Sequence, residues 1–228
     1  MQRHIQIGLT LGIAIWAGGA ALADIIIASE DHAVRRGPIV EDGLHAKQSS
    51  NNATDRYLML RFNSPDFGSG VTAATFQLTA NADTDVQFQG TFDYRVYGIP
   101  ETSPVDELFT EGAANYTPGS GNVYDGSGDL VDDSVLVNLG DVLGVSAGDT
   151  INFSTPALLS FIQSDTNDAV SLAFVRLTNS GDNSTFLDQN TGSPPRLDIT
   201  VAVPEPRTAT LLGLAGLLVI RRLRLRRK

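Results

Sequence analysis

The sequence has no cysteine and little tryptophan, histidine or lysine. The lack of cysteine excludes disulfide bonds, thiol catalysis and thiolate metal sites. The single tryptophan, Trp16, lies in an apolar N-terminal segment, so the rest of the chain has no indole for stacking on a sugar. Beyond that segment the histidines are His32 and His45, which have neither the spacing of a zinc site nor a nucleophile motif nearby. We expect both histidines at the surface, beside turns.

Basic residues are scarce in the middle of the chain. Residues 24–203 include 25 acidic and 8 basic residues, which gives a net charge of −17. Such a surface repels nucleic acid and anionic lipid, and it attracts divalent cations or basic partners. We therefore expect no nucleic acid among the partners of this protein.

The first 23 residues have the pattern of a secretory signal peptide. A weakly basic start precedes an apolar run at residues 5–17, and Ala21-Leu22-Ala23 forms an A-x-A cleavage site. An uncleaved N-terminal anchor is the alternative, but the small residues at the end of the segment favour cleavage. We predict that the mature chain begins at Asp24.

The last 26 residues carry a second targeting pattern. The motif Val203-Pro204-Glu205-Pro206 precedes an apolar stretch at residues 208–220 and a basic tail at residues 221–228. The apolar stretch is shorter than the roughly 20 residues of a comfortable membrane-spanning helix. The basic tail favours a cytoplasmic C-terminus, with everything before residue 203 exported. A permanent tail anchor is the alternative to a transient one, and the short apolar stretch favours the transient anchor.

This order of motif, short apolar segment and basic tail resembles the PEP-CTERM sorting signal of Gram-negative bacteria. The resemblance implies transient insertion in the inner membrane and removal of the tail by an exosortase-type peptidase. It also implies a final location at the cell surface or outside the cell.

The segment between the two targeting patterns, residues 24–202, predicts a single all-β domain. It is rich in Thr, Ser, Asn, Gly and Val, and residues 71–80 and 86–96 alternate between apolar and polar side chains. Gly90 marks a bulge in the second of these runs. Other strand patterns occur at residues 25–28, 56–62, 135–139, 150–153, 169–177 and 196–201. We predict an antiparallel β-sandwich, most simply a jelly roll, and expect one wet face on the strand at residues 86–96.

One short helix is predicted after residue 153. Ser154 or Thr155 can cap it and Pro156 suits its first turn, while Leu158, Leu159 and Ile162 share a face. We expect this helix to close one end of the sandwich.

Residues 101–133 interrupt the strand pattern with a long acidic loop, which is either a functional segment or a solvated insertion. Within this loop Asp125, Asp129, Asp132 and Asp133 offer hard oxygen ligands on a glycine-rich turn, as calcium prefers. The spacing is not that of an EF-hand, and a solvated acidic turn is the alternative.

Exposed tyrosines are the candidates for contact with a glycan. Tyr97, Tyr116 and Tyr124 can stack on sugar rings, whereas Tyr94 follows the inward phase of its strand and is expected in the core. The many acids allow a glycosidase pair, but their abundance gives no basis for choosing two catalytic carboxylates.

Three segments together resemble the DNRLRE-type extracellular β-sandwich domain of bacteria: residues 56–63 with 71–78, residues 153–155 with the two leucines that follow, and residues 194–201. Where that family has tryptophans in its middle loop, this chain has Leu108, Phe109 and Tyr116. The resemblance implies a role at the cell surface or in an exopolysaccharide matrix.

We therefore expect an exported, non-enzymatic matrix or cell-surface protein. The first alternative is a carbohydrate-binding module, helped by calcium, with an extracellular polysaccharide as its partner. A polysaccharide-degrading enzyme is the second alternative.

Overall fold

The computed structural model describes residues 21–35, 40–41, 44–48, 56–83, 88–103, 107–108, 135–178, 180 and 182–203. Over these ranges the chain forms twelve strands and one helix. In chain order the elements are β1 (Ala21–Ile27), β2 (Glu30–Arg35), β3 (Val40–Glu41), β4 (Leu44–Ala46), β5 (Arg56–Asn63), β6 (Val71–Thr79), β7 (Phe92–Ile99), β8 (Val137–Val145), β9 (Thr150–Phe153), α1 (Pro156–Gln163), β10 (Ala169–Arg176), β11 (Ser184–Phe186) and β12 (Arg196–Ala202).

The strands form two large antiparallel sheets and a small ribbon. One sheet has the strand order β1-β12-β6-β9, the other has the order β3-β2-β5-β10-β7-β8, and β4 pairs with β11. The first and last strands are neighbours, with Ala21 opposite Ala202 and Ile27 opposite Arg196. Residues Ala21–Ala202 form one compact unit. The predicted all-β fold, an antiparallel sandwich with one short helix, is confirmed.

Aromatic side chains join the two sheets across the core. On β6, Phe76 and Leu78 are buried while Gln77 is half-exposed, as the alternation predicts. The Phe76 ring lies 6.2 Å from that of Phe62 and 6.3 Å from that of Phe174, which both belong to the other sheet. These edge-to-face contacts are favoured by the ring quadrupoles and add to the burial of apolar area.

The aromatic packing continues towards the β4–β11 ribbon. Phe174 stacks on Tyr94 at 4.6 Å and meets Phe186 edge-on at 5.4 Å, with all distances measured between ring centroids. Tyr94 is fully buried, which confirms its predicted place in the core. Burial raises the pKa of the Tyr94 hydroxyl well above its usual range.

A buried cation ends this packing. Arg176 is fully buried, and its guanidinium carbon lies 3.4 Å from the centre of the Phe92 ring. Its amino groups donate to the carbonyl oxygen of Asp182 (2.7 Å) and to the hydroxyl of Ser180. Burial lowers the pKa of Arg176, and the cation–π contact and the two acceptors offset only part of its lost hydration, since its Nε has no hydrogen-bond partner among the described residues.

Part of the outer face of the six-stranded sheet is also buried. On β7 the expected wet face is present at Asp93 and Arg95, which are half-exposed, but it does not extend to β10. All eight residues of β10 are buried, although successive side chains point to opposite sides of the sheet. Val170, Leu172 and Phe174 belong to the core between the sheets, and alternate residues of β10 belong to a second hydrophobic cluster. That second cluster consists of Val34, Tyr57, Met59, Tyr97, Ile99, Leu136, Ala173 and Val175.

The predicted strand at residues 86–96 is wrong in its extent. The strand β7 starts at Phe92, and Phe88 forms only an isolated bridge to Ser184. Between them Gly90 has a φ of +116°, a backbone conformation that glycine reaches without steric penalty. The chain bends there, and the rings of Phe88 and Phe92 still meet at 5.6 Å in the core.

The strands β2, β3, β4 and β11 are absent from the sequence prediction, because β2 is polar and the others have two or three residues. In β2 Asp31 and His32 are buried, with 4% and 3% of their surfaces exposed, so the expected surface position of His32 is wrong. A long-range contact accounts for the buried acid, since Asp31 accepts the backbone N–H of Gln189 at 2.5 Å.

The helix forms where the sequence predicts it. The Thr155 hydroxyl accepts the N–H of Leu158 at 3.1 Å, and Pro156 is the first helical residue. Leu158 and Ile162 are buried in the core between the sheets, and Leu159 is partly buried against it. Of the described residues, no helix is long and apolar enough to span a membrane. The predicted membrane segment at residues 208–220 lies outside them.

The contact between Gly98 and Phe161 provides a test of how α1 packs against β7. A Cβ atom on Gly98 would lie 2.6–2.7 Å from the Phe161 ring, so Gly98→Ala must displace that ring. We expect the substitution to lower the free energy of unfolding by about 1–3 kcal/mol, as overpacking does. Urea denaturation of the wild type and the variant measures the change.

Gly70→Ala is the matched control, because its added Cβ would lie 3.5 Å from a methyl carbon of Val201, an ordinary contact distance. It should change the free energy of unfolding by less than about 0.5 kcal/mol. Adding Phe161→Leu to Gly98→Ala should recover part of the lost stability. Strictly additive effects of the two substitutions would contradict the contact.

Candidate functional site

The structure contradicts one predicted glycan contact and places others outside the described residues. Tyr97 is 3% exposed and belongs to the second hydrophobic cluster, so its ring has no free face for a sugar. The physical reason is that the second hydrophobic cluster covers the outer face of the six-stranded sheet around Tyr97. The other candidates lie outside the described residues: Tyr116, Tyr124, Asp125, Asp129, Asp132 and Asp133.

The predicted processing sites lie at the borders of the compact unit. Ala21 and Ala23 are exposed residues of β1, and Val203 follows β12 directly. Pro204, Glu205 and Pro206 are outside the described residues. No three His, Asp or Glu side chains within the described ranges are arranged to hold a metal ion.

A cleft of about 230 Å³ opens beside the C-terminal end of α1. Its walls combine the apolar side chains of Val137, Phe161 and Val170 with three carboxylic acids, Glu101, Glu107 and Asp165. We call this cavity the carboxylate cleft. It is the main concave candidate site among the described residues because it gathers acids from separate parts of the chain.

Backbone geometry positions the acids of the carboxylate cleft. Glu101 is the second residue after β7, and Asp165 is the second residue after α1. A tight turn then connects α1 to β10, where Asp168 adopts a positive φ of 64°. The Asp165 carboxylate accepts the N–H of Asp168 at 3.0 Å, and the Asn167 side chain accepts the N–H of Ala169 at 3.0 Å.

Both glutamates hold this turn. The Glu101 carboxylate accepts the N–H of Thr166 at 2.6 Å and its hydroxyl at 2.8 Å. Glu107 is 7% exposed, and its carboxylate accepts the amide of Asn167 at 2.9 Å. The carbonyl oxygen of Glu107 accepts the Ser171 hydroxyl at 2.6 Å. The start of the acidic loop is therefore fixed to the beginning of β10.

Asp165 is the titrating group of the carboxylate cleft. Burial raises its pKa to about 6, and the nearby charges of Glu101 and Asp168 act in the same direction. The backbone N–H groups of Asp168 and Ala169 partly oppose that rise. A carboxyl with this pKa can exchange a proton near neutral pH. The glutamates serve as acceptors for the turn, so the geometry supports a structural clasp with one pH-sensitive member.

A second concave surface lies on the outer face of the four-stranded sheet. This groove has a volume of about 390 Å³, with Ile25 and Ile27 among its lining residues together with Gln77, Thr150 and Arg196. Two of these side chains bond Asp198 of β12, which accepts the Gln77 amide at 3.0 Å and pairs with the Arg196 guanidinium at 3.3 Å. We call it the outer groove. It offers amide, hydroxyl and guanidinium groups beside an apolar edge.

The residues of both concave surfaces were missed from the sequence. Glu101 and Asp165 are far apart along the chain, and 25 acids give no reason to pair these two. One signal could have found Asp165, because an acid directly after a helix and before a buried strand lies in a tight, partly desolvated turn. The polar face of β6 was predicted correctly. The residues of β12 and β9 that lie beside it follow from the strand order of the sheet, which the sequence does not show.

No protein-family model matches the chain, and no curated protein matches it either. The resemblances to the PEP-CTERM signal and to the DNRLRE-type domain therefore stay predictions.

The pKa of Asp165 predicts an unusual pH dependence of stability. An unfolded aspartate has a pKa of about 3.9, whereas that of Asp165 is about 6 in the folded protein. Ionisation of Asp165 therefore lowers the free energy of unfolding. This loss is absent at a pH below the pKa of the unfolded state, and it is complete at a pH above the pKa of the folded state. Asp165→Asn should raise the melting temperature at pH 7.5 and lose that advantage at pH 4, measured by thermal unfolding.

Asp188→Asn is the control, since Asp188 also accepts a backbone N–H, that of Asn190 at 2.9 Å, but does not line the cleft. It should not give the same gain at pH 7.5. An Asp165→Asn variant that is equally destabilised at both pH values would contradict the assignment of Asp165 as the titrating group.

Proposed function

We propose that this protein is exported and sorted by a PEP-CTERM system and works as a non-enzymatic component of the cell surface or exopolysaccharide matrix. One observation carries the proposal: the compact unit ends at Ala202, directly before the motif at residues 203–206. Cutting the chain at that motif leaves every strand of both sheets intact. A tail can be removed without disturbing the fold only if such a boundary separates it from the folded domain.

The N-terminal border is compatible with signal cleavage. Removal of residues up to Ala23 shortens β1 but leaves four residue pairs with β12, from Asp24 opposite Ile199 to Ile27 opposite Arg196. Within the lost part Leu22 is 64% exposed, so its loss removes little buried apolar surface. The fold therefore tolerates loss of the predicted signal peptide.

The architecture of the domain also supports a matrix role. The strand orders β1-β12-β6-β9 and β5-β10-β7-β8 are those of a jelly roll, and we infer that version of the sandwich. The domain carries no disulfide and a net charge of −17, so it stays soluble outside the cell and is independent of redox conditions. Divalent cations could link such domains to other anionic polymers.

Intact-mass spectrometry of the protein from the membrane, surface and medium fractions of its native host tests the proposal. We expect the surface or medium species to begin at Asp24 and to lack the basic tail at residues 221–228. Replacing Pro204 and Pro206 with alanine should retain the tailed species in the membrane. A wild-type protein that keeps its tail in the inner membrane would show a permanent anchor and reject the sorting proposal.

The outer groove favours a second candidate function, the binding of a polysaccharide chain. Gln77, Thr150 and Arg196 can bond sugar hydroxyls, while Ile25 and Ile27 can cover the apolar face of a sugar ring. Calorimetric titration with host exopolysaccharide tests this candidate. Gln77→Ala should weaken binding about tenfold. Loss of a hydrogen bond between uncharged groups, worth about 1.4 kcal/mol, has this effect. Binding that is unchanged in this variant would exclude the groove.

A further inference from the structure

The exposed edges of the two large sheets differ in length and regularity. The strand β3 is an edge of only two residues, and β9 is an edge of four residues whose exposed side chains, Thr150 and Asn152, are polar. The edge strand β8 has register shifts against β7, and it contains Gly140 and Gly144 at positive φ. Short or irregular edges resist pairing with another chain. By contrast, β1 has an unbroken register with β12, and the four residues that remain after the predicted cleavage, residues 24–27, include two exposed isoleucines.

The backbone groups of β1 show which residues face its open edge. The N–H of Ala28 donates to Pro195 at 2.9 Å on the β12 side. Because N–H groups alternate in direction along a strand, those of Ile26 and Asp24 also face β12, and those of Ile25 and Ile27 face away. Among the described residues, no strand pairs with that second side of β1.

The side chains at this edge are apolar. Ile25 is 61% exposed and Ile27 is 53% exposed. The outward N–H of Ile25 donates to the carboxylate of its own neighbour, Asp24, at 2.9 Å. That acceptor lies on a flexible surface side chain and can be exchanged for a backbone carbonyl.

Charge indicates what can occupy the edge. The domain has a net charge of −17, so two copies repel each other over most of their surfaces. The strand β1 carries a single acid, Asp24. On the neighbouring strand the charge of Asp198 is compensated by Arg196 at 3.3 Å. This edge is thus a nearly neutral, apolar stretch on an acidic domain, and a second copy can approach it there.

We infer that β1 pairs with β1 of a second copy, antiparallel and about a two-fold axis at Ile26. In this register Ile25 lies opposite Ile27 of the second copy, and each of the two such pairs exchanges two backbone hydrogen bonds. The two four-stranded sheets then form one continuous eight-stranded sheet. The register needs only residues 24–28, so it survives cleavage after Ala23.

The dimer is a reversible one. Its contact consists of one strand from each copy and four isoleucine side chains on the outer face. That area is below the roughly 1,200 Å² of standard protein interfaces. Its formation therefore depends on protein concentration, and it is favoured where many copies are displayed on one surface.

Sedimentation equilibrium over a wide concentration range tests the inference on residues 24–203, the predicted mature domain, which retains both sheets and the core. We expect a monomer–dimer equilibrium. Ile27→Lys should weaken the dimer at least tenfold, because edge lysines block strand pairing. Ile25→Pro should do the same by removing an outward N–H, while the bonds to β12 remain.

Leu143→Lys is the matched control, since Leu143 is 72% exposed on the edge strand β8. It should leave the dimer constant unchanged. Melting temperatures of dilute samples verify that the variants are folded, and Ile27→Lys remains a test if Ile25→Pro does not fold. A wild-type monomer at all concentrations up to millimolar, or a dimer that Leu143→Lys weakens as much as Ile27→Lys, would overturn the inference. Neither result bears on sorting or tail removal.

Discussion

The packing of aromatic rings between the two sheets is the interaction on which the rest of the molecule depends. Phe76 of the four-stranded sheet contacts Phe62 and Phe174 of the six-stranded sheet, and no disulfide supplements these contacts. Truncating one such phenylalanine to alanine costs about 3–5 kcal/mol. A domain has a total stability of about 5–15 kcal/mol. The helix α1, whose Phe161 lines the carboxylate cleft, packs against the same core.

Strands with local signals could be predicted from the sequence, and strands with long-range causes could not. The alternation in β6 and the cap at Thr155 are local features, and the structure has both where they were expected. The strand β2 is polar, and its buried Asp31 is explained by a backbone group of Gln189, distant in sequence. The burial of Tyr97 likewise depends on which face of the sheet is covered by other residues. The alternation of apolar and polar residues along a strand does not specify this.

The candidate site was harder to predict than the fold for a related reason. Glu101 and Thr166 are brought together by the order of β7 and β10 in the sheet, so their contact follows from topology and not from a motif. The shifted pKa of Asp165 has the same origin, because the turn that desolvates it is closed by acids from another part of the chain. In a sequence with this many acids, only the arrangement in space distinguishes a titrating carboxyl from a solvated one.

The pairing of β1 with β12 has a consequence for how the domain can be tethered. Ala21 lies opposite Ala202, and Val201 lies opposite Val71, whose carbonyl accepts the side chain of Gln163 at 2.7 Å. The chain thus enters and leaves the sandwich at the pole that α1 covers. Any segment fused to either end of the sandwich would therefore be attached at that same pole. The opposite pole, where the N–H of Gly148 donates to the carbonyl oxygen of Asn81 at 3.2 Å, is free of both chain ends of the sandwich.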